Sequence, residues 1–161
     1  MTMVISGDNG LTYPNSTTQA SAGVVLQVVQ GTITSSITTT SSSFADTGLT
    51  ATITPKFSTS KVLVIVSHNE VQKGNNAGTG QVQLLRSSTV ISTLAGQLGY
   101  NQGSTYNNIG TCGCEYLDSP ATTSATTYKT QFAVSGGGGG VFYLSVGNSA
   151  LSSITLMEIA Q

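Results

Sequence analysis

A chain of 161 residues and 16.4 kDa has room for one domain of ordinary size, which buries roughly two-thirds of the surface its unfolded form exposes. Thr (25) and Ser (22) are abundant and charged residues make up only 7%, so a 38% hydrophobic fraction with a net charge of −1 excludes a charge-swollen disordered chain. Five basic against six acidic side chains exclude nucleic acid and anionic membrane as main partners, the longest apolar run (62–66) is too short to span a bilayer, and residues 1–10 carry no secretion-signal pattern.

Residues 1–23 hold scattered apolar points (Val4, Ile5, Leu11, Tyr13) among Gly, Pro14 and small polar residues, and predict an extended N-terminal arm. Residues 24–161 predict a single β domain. Its first run is 24–30. In 44–55, Leu49, Ala51 and Ile53 alternate with Thr50, Thr52 and Thr54, the period of a strand with one buried face, and Pro55 ends it. The five aliphatic residues VLVIV inside 61–67 predict a central strand covered on both faces. Runs 81–85 and 89–94 flank Ser87 and Ser88 and predict a hairpin. Runs 110–117, 127–134, 141–146 and 154–159 follow; in the second of these Tyr128, Phe132 and Val134 share one face. Segments 69–80, 95–109 and the pentaglycine 136–140 predict surface loops. Short strands without a 3.6-residue apolar period predict an all-β fold, an antiparallel β-sandwich or jelly roll of about eight strands, and the Thr excess suits a pleated surface with one wet side.

Few residue patterns point to chemistry. Cys112 and Cys114 are spaced to place both thiols on one strand face, poorly arranged for a relaxed disulfide, and the single His68 adds too little for a zinc site. His68, beside Asn69 and Glu70, has the residue types of a base oriented by a carboxylate, but no G-x-S-x-G elbow supplies a nucleophile. Ser58 and Lys61 match S-x-x-K without its companion motifs. The pentaglycine precedes a β run, where a phosphate cradle needs a helix N-terminus, and the sequon at Asn15 lacks a secretory context. No catalytic residue, cofactor or metal is expected. The segment with Tyr100, Asn101, Gln102, Tyr106, Asn107 and Asn108 has the aromatic-plus-amide mixture suited either to a glycan or to a subunit contact.

The arm, GDNGLTYPNSTTQASAG at 7–23, resembles the G-(L/I)-T-(F/Y)-P-(D/N)-x-(S/T)-T-Q linker of fibre and virion surface proteins of tailed bacteriophages. The body is similar to a phage virion surface β-domain through VLQVVQGT (25–32), ITPKFSTSKVLVIVS (53–67), YLDSPATTSATTYK (116–129) and ITLMEIA (154–160). This resemblance implies a non-enzymatic virion structural protein made in the host bacterial cytoplasm, with itself (as a homotrimer) and the major capsid protein or other virion proteins as partners. With about twenty residues ahead of the domain, it implies capsid decoration or cement, with Leu11, Tyr13 and Pro14 in the attachment. The alternative is a tail-fibre tip or adhesin that holds a host-surface glycan.

Overall fold

The computed structural model describes residues 4–6, 10–12, 18–19, 24–74, 78–99, 107–136, 140–146 and 150–161. In chain order its strands are β1 (Val4–Ser6), β2 (Gly10–Thr12), β3 (Thr18–Gln19), β4 (Val25–Ile33), β5 (Ile37–Thr39), β6 (Ala45–Ile53), β7 (Lys61–Gly74), β8 (Thr79–Arg86), β9 (Thr89–Leu98), β10 (Asn107–Asp118), β11 (Thr126–Ser135), β12 (Val141–Leu144) and β13 (Ser152–Ile159). No helix occurs among the described residues. Within the segment read as an arm, β1, β2 and β3 pair with one another, Ile5 opposite Leu11 and Leu11 opposite Gln19.

The body is two antiparallel sheets. In one, β13 lies between β4 and β7, and β10 lies along the opposite edge of β7. β12 joins β7 on the same edge as β13, further along the strand, and carries β5. The other sheet runs β6–β11–β8–β9. Leaving aside the short β5 and β12, eight long strands remain. The first sheet takes the first, eighth, third and sixth of them, and the second takes the second, seventh, fourth and fifth. That interleaving is the strand order of a jelly roll.

The core follows from period-two alternation on facing strands. Leu49, Ala51 and Ile53 of β6 meet Val62, Val64 and Val66 of β7, with Ile154 and Leu156 of β13, Leu84 of β8 and Tyr128 of β11. A second cluster joins Val71, Val82, Cys112, Phe132, Val134, Phe142 and Leu144, its two phenyl rings tilted by 49° at 6.4 Å. Gly80 makes room for one of them: a Cβ there would stand 2.3 Å from the Phe142 ring. At the β4–β6 corner a Cβ on Gly31 would stand 1.9 Å from the Thr50 carbonyl oxygen, so glycine alone lets the two sheets close there.

The β6 alternation and the β8–β9 hairpin agree with the sequence. Three expectations change. The VLVIV run is buried on its inner face and half-buried on its outer one, because the second sheet covers only one side of β7. The expected loop 69–80 is largely strand: β7 continues to Gly74 and β8 begins at Thr79. The expected loop 95–109 is strand at both ends, through Leu98 and from Asn107. β5, too short to show a pattern, adds to the nine runs read from sequence.

Candidate functional site

β7 and β10 are broken in register at one place. Asn69 faces Thr111 and Val71 faces Gly110, which leaves Glu70 bulged from β7 in left-handed conformation (φ 50°). One step on, Asn108 faces Gln72, so Ile109 is the extra residue on β10, next to Gly110 at φ 96°. Opposed bulges bend both strands and re-aim their side chains. They open a depression of about 350 Å3 lined by Glu70, Val71, Gln72, Asn108, Gly110 and Val146. The Gln72 amide donates to Asn108 Oδ1 across it, and the Val146 and Ser145 amides donate to the Glu70 and Asn69 carbonyls, tying the chain after β12 to its rim. Two amides and a carboxylate over an apolar floor can hydrogen-bond a polyol or another protein's backbone. They form no nucleophile–base pair.

Asn107 and Asn108, expected in a loop, are strand residues opposite Lys73 and Gln72. Tyr100, Asn101, Gln102 and Tyr106 lie outside the described residues, as do Tyr13 and Pro14; Leu11 sits in β2. Glu70, read from sequence only as a carboxylate beside His68, is bulged out of β7 while His68 is buried, and Gln72 carries no signal of its own because polar residues and Gly74 make the second half of β7 read as a loop. The alternation of Val71 with Gln72 was the available signal.

Of the other groups singled out from sequence, His68 and Cys112 are committed to the interior. His68 does not close its strand; it sits within β7, fully buried, with Nε2 2.9 Å from Thr130 Oγ1, itself 2.6 Å from Thr47 Oγ1. Its Nδ1 has no hydrogen-bond partner among the described residues, and burial depresses the imidazole to about 4. Among the described residues its hydrogen-bond partner is a threonine hydroxyl, not the carboxylate that orients a catalytic base. Cys112 and Cys114 are free and on the same inner face, as their spacing predicts. Burial, with Cys114 close by, pushes the Cys112 thiol up to about 11, far from a reactive thiolate. Lys61 Nζ donates to Ser119 Oγ at 3.1 Å. Gly136, at φ 92°, is the last described residue before the glycine run's middle. Among the described residues no group of three or more His, Cys, Asp or Glu could hold a metal ion.

Two buried carboxylates tie distant strands together. Asp118, ending β10, accepts from the Tyr128 hydroxyl at 2.6 Å and from Arg86 Nη1 at 2.9 Å on both oxygens. Glu158 of β13 accepts from Gln27 Nε2 at 2.6 Å and from the Lys56 amide at 2.7 Å. Burial alone would raise the Glu158 carboxyl, but these donors outweigh it and hold the group below its ordinary range.

No protein-family model matches this chain, and no curated protein sequence matches it. Among solved structures it is similar to the VP2 protein of infectious bursal disease virus in derived T=1 particles, at 13% identity over 98% of this chain and 44% of that one, with a TM-score of 0.46. It is also similar to a chain of the T13 particle of the same virus, at 13% identity over 96% and 44% with a TM-score of 0.48. The VP2 subviral particle of that virus aligns at 12% identity over 96% and 45% with a TM-score of 0.44. This chain therefore spans less than half the length of those chains.

Proposed function

We propose that this chain is a non-enzymatic structural protein of a bacteriophage particle, seated on the outer capsid surface as a decoration or cement protein. The observation that supports the reading most is the jelly-roll strand order in a nearly uncharged chain whose His68, Cys112 and Tyr128 are all committed to the core. Such a domain offers its outer faces and strand edges for assembly, and closed association protects edges that would otherwise aggregate. Its partners are further copies of itself and the capsid proteins beneath it. The segment with Leu11, Tyr13 and Pro14, whose sequence resembles a virion linker, supplies part of the attachment. Deleting residues 1–22 should abolish binding to purified particles while far-UV circular dichroism of the domain stays unchanged; full binding by the truncated protein would refute the attachment role. Copy number checks the location: decoration requires abundance near that of the capsid protein, and a few dozen copies or fewer would place the protein in the tail.

The depression at the β7–β10 bulge favours a second reading, an adhesin for a host-surface glycan, because amide and carboxylate groups converge there over valines. On this reading Asn108→Ala should lower binding to host polysaccharide at least about tenfold, the loss of one or two polar contacts. Absence of any wild-type signal on a glycan array would dismiss it.

A further inference from the structure

We propose that the outer face of the β4–β13–β7–β10 sheet is a two-fold docking surface for a second copy of this chain. The strand register puts four apolar side chains in one row across all four strands: Val28 opposite Met157, Met157 opposite Leu63, and Leu63 opposite Leu117. The ends of the row, Val28 and Leu117, are 55% and 51% exposed, and Leu63 and Met157 are half-buried. Two rows further along the same face the residues are Thr32, Ser153, Ser67 and Gly113, so the apolar character is local and does not extend over the whole sheet.

The charges on this face select the occupant. In the apolar row and the rows on either side of it, the outward positions carry two charged side chains, Lys61 and Glu115, of opposite sign, and the exposed Glu70 lies further along β7 at the bulge. Lys61 lies two residues before Leu63 on β7. Glu115 faces Ile65, on the other side of the apolar row. When a second copy is laid face to face by a two-fold axis running along the row, Val28, Met157, Leu63 and Leu117 meet their own equivalents. Lys61 of each copy then comes to the Ile65–Glu115 row of the other. The operation forms two symmetry-related opposite-charge contacts and no like-charge one, the self-complementarity an isologous interface requires. With the axis along the strands, Lys61 and Glu115 would both be covered without an opposite charge from the other copy.

The contact is small. An axis through Met157 and Leu63 leaves two residues of β13 and of β7 on its short side, so about five residues per strand overlap; four strands about 4.8 Å apart, at about 3.3 Å rise, then present roughly 300 Å2 in projection per copy. Two copies together give roughly 600 Å2, the size of a weak and reversible contact. This inference rests on the face itself and stands whether or not the protein belongs to a virion. A two-fold contact closes at two copies, in place of the trimer implied by the sequence resemblance.

Sedimentation equilibrium of the full chain across a concentration series tests it. The wild type should be a reversible dimer. Glu115→Lys and Lys61→Glu should each weaken dimerisation roughly tenfold or more, and the exchange K61E/E115K should restore it to within a few-fold of wild type. Leu117→Lys, at a half-exposed position, should leave circular dichroism unchanged and give a monomer. A wild-type monomer at all concentrations, a trimer indifferent to these substitutions, or a double exchange that fails to rescue would each overturn the proposal.

Discussion

Asp118→Ala should lower the unfolding free energy by about 3 kcal/mol, read as a shift of the urea midpoint with an unchanged slope. Asp118 is 5% exposed and its carboxylate is the partner of the Tyr128 hydroxyl, whose side chain is fully buried between the sheets. Removing the carboxylate strands that hydroxyl, a loss of about 1–3 kcal/mol, and removes a charge-assisted bond as well. The Arg86 contribution is smaller because its side chain is 31% exposed and water screens the pair. Tyr128→Phe takes away the donor and leaves Asp118 with Arg86, so it should cost only about 1 kcal/mol. Burial, reinforced by the Asp118 carboxylate, raises the Tyr128 phenol above its ordinary range, so it remains a donor at any pH where the protein is used. Equal losses for the two variants would show that the hydroxyl is not what Asp118 serves.

The second large effect is on acid stability. His68 has an ordinary pKa of 6.5 and a folded value of about 4, so below 6.5 the unfolded chain takes up a proton that the folded chain refuses. Stability is therefore complete above 6.5 and falls as the pH drops toward 4, by about 3 kcal/mol over the window. His68 is the only histidine. Asp46 is held below its ordinary 3.8 chiefly by hydrogen bonds from Lys129 and Gln131, and Glu158 below its ordinary 4.5, so their losses begin only under those values. The upper part of the window thus belongs to the imidazole. Chemical denaturation at a series of pH values should show the decline in the wild type and a nearly flat line in His68→Leu, which leaves the Thr130–Thr47 hydrogen bond in place. The same slope in both proteins would assign the acid loss elsewhere.

The legible part of this fold is the part where burial is one-sided and local. Leu49, Ala51 and Ile53 alternate with threonines because β6 has a dry face and a wet one, and the VLVIV run marks β7 as central because both of its edges are paired. Legibility fails where polar residues sit in strands for reasons set by distant partners. Lys73 looks like a loop residue, yet it is fully buried with Nζ 3.0 Å from the Gly74 carbonyl. The bulge at Glu70 and Gly110 depends on two segments 40 residues apart coming into register, which no local pattern encodes. The same holds for Arg86, Asp118 and Tyr128, each ordinary in its own segment and joined only when β8, β10 and β11 arrive at one end of the sandwich. Of the aromatic-rich segment singled out for contact, Asn107 and Asn108 are the start of β10, a placement that their pairing with Lys73 and Gln72 of β7 sets and no local pattern encodes.

The interleaved strand order also dictates when this protein can fold. β4, among the first segments of the domain to be synthesised, has β13 as its only ladder partner among the described residues, and Gln27 must wait 131 residues for Glu158. Each sheet lacks one of its two inner strands, β13 in one and β11 in the other, until the last third of these 161 residues is synthesised; among the described residues β6 likewise pairs only with β11. Folding thus waits for β11 and β13 and runs on the slow, millisecond-to-second scale of non-local β topologies. A nascent chain stalled before residue 152 would expose the aliphatic β4 and one edge of β7 together, which makes late translational arrest the step at which this protein would be most dependent on a chaperone.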